Sequence, residues 1–240
     1  MKRIKYLSRT LAFLLSAILL SFTSVVFVKG QSDEIEDSEK VVYLTFDDGP
    51  SQVWTSEVLE LLDFYQAEAT FYMIGRNVVN HPDIVREVAE HGQTIGVHTF
   101  NHIDLSWADY TTFYYEVDDT ESVIKEALQD GDDLGSQFVR CVRPPYGGAS
   151  NLFYANANSM DYEVSMWNID TEDWRGTSPE VIFEHFRNSI EPHKVVLMHD
   201  GGFDRENTIE SLQLILHELL LRGYQAKAYC TQDGQAIKNQ

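Results

Sequence analysis

From residue 41 onward, short apolar runs alternate with stretches of helical spacing, and that alternation limits the fold more than any other feature. The runs are Val41–Phe46, Ala69–Ile74, Thr94–Val97, Gln137–Val142, Glu163–Trp167, Lys194–Met198 and Tyr224–Tyr229. The first lacks polar alternation, as expected of a strand covered on both faces. Helices are predicted between the runs. One near Thr55–Gln66 carries Val58, Leu59, Leu61, Leu62 and Tyr65 on one side. Pro82 opens the next and Gly92 closes it. Others lie near Thr111–Gln129 and Leu152–Met160, and a further one starts at Ser178-Pro179. Asn207-x-x-Glu210 can cap the last, which Gly223 ends. Strands joined by helices imply a parallel sheet. The expected class is α/β: a distorted (β/α) barrel with about seven parallel strands, in one domain over residues 41–240. An open doubly wound sheet is the alternative. No G-x-G-x-x-G or G-K-[ST] loop follows any strand, which argues against a dinucleotide or P-loop site.

The segment before that domain has a different character. Lys2, Arg3, Lys5 and Arg9 precede an uncharged run from Leu11 to Val28. A basic flank before such a run predicts a signal peptide or one membrane anchor over residues 1–30. Residues 31–40 are polar and acidic, a solvated linker. Either outcome puts the domain outside the cytoplasm, secreted or held by its N-terminal helix. There Cys141 and Cys230 can form a disulfide, or they can be two small buried apolar residues. The net charge of -20 should repel nucleic acid and anionic lipid, so neither is expected as a partner of the domain. A monomer is expected.

Reactive residues gather where the predicted strands end. Asp47-Asp48 follows the first strand, His98-x-x-x-His102 the third, and Arg143-Pro144-Pro145-Tyr146-Gly147 the fourth. Asp170-x-x-Asp173-Trp174 follows the fifth and His199-Asp200 the sixth. In α/β barrels the loops on that side converge on the active site. Two adjacent carboxylates resist ionising together, and a cation would relieve them by taking one as ligand. His98 and His102 stand close enough to share an ion with Asp48, and three N/O ligands with an open position suit a catalytic zinc site. Asp47 would then be free to take a proton from a water that the ion acidifies. Otherwise it merely accepts hydrogen bonds in the Gly49-Pro50 turn. His199 can protonate a leaving group, with Asp173 to orient its ring, or it can be a satisfied core histidine. Arg143 can hold a carboxylate. The Tyr146-Gly147 turn can present a backbone N–H to an oxyanion. Trp174 can floor a sugar subsite or pack in the core.

Together these five motifs, in this order over residues 45–200, resemble the polysaccharide deacetylases, the NodB-type carbohydrate esterases. The resemblance extends to about residue 230. It implies a distorted (β/α) barrel and a divalent ion, Zn2+ with Co2+ or Mn2+ as alternatives, on Asp48, His98 and His102. It also implies Asp47 as base, His199 as acid, Arg143 positioning Asp47, and Asp173 paired with the acid. Tyr146 would bind the oxyanion through its amide, and Trp174 and Leu197 would line the acetyl and sugar pocket. Departures are small: His91, Val97 and Met198 stand where the family often has other residues, and Asp130–Asp133 is an acidic insertion-like stretch. The implied reaction removes acetyl groups from N-acetylated glycans, releasing acetate. Peptidoglycan N-acetylglucosamine is the first candidate and chitin oligosaccharides the second. O-acetyl ester cleavage on a xylan-type polysaccharide is an alternative. So is a non-catalytic glycan-binding protein on the same scaffold.

Overall fold

The structure is a computed structural model and describes residues 40–129 and 133–230. The expected export segment, the linker to residue 39 and residues 130–132 of the acidic stretch lie outside the described residues. Among the described residues no helix is long and apolar enough to cross a membrane.

Among the described residues, eight parallel strands form one sheet. They are β1 (Val41–Asp47), β2 (Thr70–Met73), β3 (Thr94–Val97), β4 (Phe138–Val142), β5 (Glu163–Val164), β6 (Ile169–Asp170), β7 (Val195–His199) and β8 (Gln225–Lys227). Their order is β5-β4-β3-β2-β1-β7-β6, with β8 beside the first half of β1. The predicted fifth strand is in fact two short ones. Cys141 of β4 pairs with Glu163, whereas Ile169 pairs with Val196 of β7. The segment 163–170 therefore bridges the two edges of the sheet and curls it into a distorted barrel.

Helices cover the outside: α1 (Trp54–Tyr65), α2 (Gly75–Asn80), α3 (Pro82–Glu90), α4 (Tyr110–Leu128), α5 (Asn151–Ser159), α6 (Pro179–Arg187) and α7 (Glu206–Arg222). The short α2 had no periodic signal. The expected cap of α7 is corrected: Arg205 occupies that position, and Asn207 lies inside the first turn, donating to the Thr177 carbonyl at 3.0 Å.

Strand alternation sorts the side chains into two layers. Val42, Leu44 and Phe46 of β1 join Phe71, Met73, Ile95, Val196 and Met198 in the outer core, under the helices. Val41 and Tyr43 belong to a smaller cluster with Tyr72, Val139, Cys141 and Val195. This second cluster fills the barrel interior. Continuing the period of two puts Thr45 and Asp47, Arg143, His98, and Leu197 and His199 on the same inward side. The apolar floor of the barrel thus becomes polar towards the carboxyl ends of its strands. Gly96 is part of this layer: a Cβ there would lie 2.8 Å from the Tyr72 ring. Cys141 and Cys230 are joined in a disulfide within the cluster, across a sequence separation of 89 residues. A cross-link closing a loop of that size contributes about 4 kcal/mol in the chain-entropy account.

Candidate active site

Asp47 ends β1, and its register neighbours are Tyr72 on β2 and His199 on β7. Arg143, fully buried just past β4, reaches across the barrel to it, with Nη1 donating to Asp47 Oδ1 at 2.9 Å and to Thr45 Oγ1 at 2.7 Å. The other guanidinium nitrogen donates to Ser165 Oγ at 3.1 Å and to the Met166 carbonyl at 3.2 Å. The Tyr72 ring lies 4.1 Å from the guanidinium carbon. With so many fixed contacts the arginine is rigid, and so is the carboxylate it holds. Burial raises the Asp47 carboxyl above its ordinary value, outweighing the opposing charges of Arg143 and His199.

Asp48 turns the other way because its backbone is left-handed, with φ of 75°. Asn77 of α2 donates to its carbonyl at 2.8 Å. Oδ1 of Asp48 lies 3.2 Å from His102 Nε2 and 3.6 Å from His98 Nε2. It is buried and receives no hydrogen bond among the described residues. His98 Nδ1 meets the Arg143 carbonyl at 2.8 Å. A carbonyl can only accept, so Nδ1 carries the proton and Nε2 presents its lone pair. Burial pushes the His98 imidazole down to about 3, which keeps it neutral. Thr99 and His102 adopt left-handed backbone in the connecting loop. Glu116 of α4 clamps that loop, accepting from the Phe100 and Asn101 amides at 2.9 and 2.8 Å.

One donor atom each from Asp48, His98 and His102 lies within 4.8 Å of the others. Two imidazole nitrogens and an unsatisfied carboxylate oxygen make a donor set suited to a divalent cation such as zinc. The residues present therefore fit one ion.

His199 ends β7. Its ring Nδ1 and backbone amide both meet the Asp173 carboxylate, each at 2.8 Å. Thr208 donates to the same carboxylate at 3.0 Å. Burial alone would lower the His199 value, but the charge and hydrogen bond of Asp173, with Asp47 and Asp48 behind them, raise it. Burial also opposes ionisation of Asp173, yet the His199 contact keeps Asp173 low. Both shifts favour the form of the pair in which an imidazolium is held by a carboxylate.

Asp47, Asp48, His98, His102 and His199 line one cavity of about 790 Å³, with Arg143 and Asp173 behind it. Tyr146, Trp174 and Leu197 line it as well. The Tyr146 ring stands edge-on to His102 at 4.7 Å and is largely exposed. Trp174 is half-exposed and Leu197 buried. All ten residues singled out in the sequence therefore meet around this space or directly behind it. Others carried weaker signals. Thr45 is the lone polar residue in an apolar strand. Asp200 sits inside a quoted motif: it is buried, pushed up to about 7 by desolvation, and accepts from Thr55 at 2.6 Å. Arg205 and Phe203, both lining the cavity, have no motif of their own.

A family model described as polysaccharide deacetylase matches residues 34–165. A peptidoglycan-N-acetylglucosamine deacetylase of Bacillus cereus is 34% identical over 196 residues, covering 80% of this chain and 87% of that protein. A chitooligosaccharide deacetylase of Azorhizobium caulinodans is 29% identical over 208 residues, covering 82% and 96%. Among solved structures, a peptidoglycan N-acetylglucosamine deacetylase in complex with 4-naphthalen-1-yl-N-oxidanyl-benzamide superposes with a TM-score of 0.73 at 27% identity, covering 79% of this chain and 86% of that one. The barrel and its strand-end cavity define a hydrolase-type α/β domain with a candidate metal centre. The chain belongs to the polysaccharide deacetylase family.

Proposed function

We propose that this chain is a divalent-metal-dependent hydrolase that removes acetyl groups from N-acetylated glycans, with Zn2+ as its ion and Co2+ or Mn2+ as alternatives. One observation carries the proposal. Two neighbouring carboxylates are held differently: Asp47 accepts a hydrogen bond from the buried Arg143 at 2.9 Å, whereas the nearest groups to Asp48 Oδ1 are the His102 and His98 imidazoles at 3.2 and 3.6 Å. That divides the pair into a base and a ligand. When bound by Asp48, His98 and His102, the ion supplies Lewis acidity, polarising the acetyl carbonyl and acidifying the attacking water.

The remaining work falls to the chain. Asp47 takes a proton from the water as its oxygen bonds to the carbonyl carbon. Arg143 fixes the direction of that carboxylate. The Tyr146 backbone N–H stabilises the developing oxyanion. His199 then gives its proton to the departing nitrogen, the C–N bond breaks, and acetate and a free amine leave. Asp173 holds His199 charged until that step. Trp174 and Leu197 pack against the sugar and the acetyl methyl.

Peptidoglycan N-acetylglucosamine is the substrate we favour, in keeping with the name of the Bacillus cereus relative and with export to the cell wall, by a cleaved signal or an N-terminal anchor. Chitin oligosaccharides are the second reading. The Azorhizobium relative bears that name, and a net charge of -20 disfavours approach to an anionic wall polymer. Acetate release should be assayed on peptidoglycan, chitin oligomers and acetylxylan, with and without a chelator. Chelator-sensitive release from the first two is expected. Release from acetylxylan alone would replace the amide reading with the ester one. Glycan binding without release would leave only a binding protein.

A further inference from the structure

Arg205 is a buried cation that belongs to none of the five motifs. Arginine is seldom buried without a partner, yet Arg205 is 3% exposed. It also stands at the start of α7, where the helix dipole favours negative charge, so helix formation does not account for it. Its Nε donates to the Gly201 carbonyl at 2.7 Å. Its terminal nitrogen Nη2 lies 3.8 Å from Oδ2 of Asp48.

The two oxygens of Asp48 therefore face different partners. Oδ1 faces His98 and His102, and Oδ2 faces Arg205. The chain between β7 and α7 is shaped to allow this. A Cβ on Gly201 would come within 2.1 Å of the Asp48 carbonyl oxygen. Gly202 has φ of 88°, and a Cβ there would stand 3.3 Å from Arg205 Nη2 and 3.4 Å from Asp48 Oδ2. The glycine pair lets the loop cross directly over Asp48 and keeps the space between carboxylate and guanidinium clear.

We propose that Arg205 is a positioning residue for the metal centre: it holds Oδ2 of Asp48 and leaves Oδ1 as the single donor beside the two histidines. Each acid of the Asp47-Asp48 pair then has its own buried arginine, Arg143 just past β4 for the base and Arg205 at the cap of α7 for the ligand. The inference rests on the metal-site reading above. Outer partners of metal ligands characteristically change affinity about 10–100-fold when removed.

The test is zinc affinity, measured by competition with a chromophoric chelator on the native chain and on Arg205→Gln, which can still donate to Gly201 but carries no charge. A loss of about 10–100-fold is expected, with partial recovery in Arg205→Lys and an altered visible spectrum of the cobalt-loaded protein. An unchanged affinity in folded Arg205→Gln would overturn the role of Arg205 while leaving the metal site standing. If Arg205→Gln does not fold, X-ray absorption on the zinc-loaded native chain decides. A single Asp48 oxygen on the ion supports the assignment, and both oxygens on it overturns it. A native chain that takes up no metal would remove the metal-site reading itself, and this inference with it.

Discussion

His98 and His199 make a matched pair. Each stands at the carboxyl end of a barrel strand, His98 buried and His199 partly exposed, and each places Nδ1 2.8 Å from an oxygen. The partner oxygen is what differs. For His98 it belongs to the neutral Arg143 carbonyl, and burial wins, taking the imidazole down to about 3. For His199 it belongs to the Asp173 carboxylate, and although burial again pushes down, the opposing charge prevails and the value rises. One geometry thus yields a nitrogen donor that favours its neutral form and an imidazole that holds its proton more readily. The lesson is that burial alone does not set a histidine's role; the charge of the group behind Nδ1 does.

The comparison can be strained from several sides. The largest effect is expected from Asp47→Asn, which removes the base that both histidines flank. Turnover should fall by about 10²–10⁴-fold while zinc content, measured by atomic absorption, stays at the native level. An active, zinc-replete variant would refute the base assignment.

Asp173→Asn gives His199 the kind of neutral partner that His98 already has. The imidazole value should drop, so the proton is lost at lower pH. Because the acid works only when protonated, the alkaline limb of the rate profile should move towards lower pH, with a loss of about 10²-fold at neutral pH. An unmoved alkaline limb would mean that His199 is not the acid.

The unperturbed comparison can be read directly by NMR of the metal-free protein. His98 should show no titration between pH 5 and 8, whereas His199 should remain charged beyond the usual midpoint of an imidazole, about 6.5. Two histidines titrating together would dissolve the distinction.

Smaller effects are expected away from the pair. Trp174→Ala should raise KM several-fold with little change in kcat, in line with the ~0.5–1.5 kcal/mol of an aromatic contact. Cys141→Ser with Cys230→Ser should lower thermal stability by about 4 kcal/mol and leave kcat within a few-fold, since the disulfide lies in the apolar layer beneath the site, where the Tyr72 hydroxyl is 3.4 Å from Cys230 Sγ.

Much of this was legible in the sequence because strand ends and motif spacing are local properties. The period of two in Val41–Asp47 already separates Thr45 and Asp47 from Leu44 and Phe46. What was hidden depends on pairing across the barrel. The break of one predicted strand into Glu163–Val164 and Ile169–Asp170 follows from closing the sheet, which no local window contains. Glu116 sits mid-helix and looks like any solvated acid until α4 packs beside the histidine loop. Arg205 left a faint trace, a cation at the wrong end of a helix after two glycines. The disulfide was open for the same reason: only the fold brings residues 141 and 230 together.

The measurement that bears most directly on all of this is anomalous scattering from a crystal grown with zinc. The account predicts one strong peak bounded by Asp48 Oδ1, His98 Nε2 and His102 Nε2, with Asp47 beside it on Arg143. Zinc bound elsewhere, with those three side chains turned apart, would contradict it.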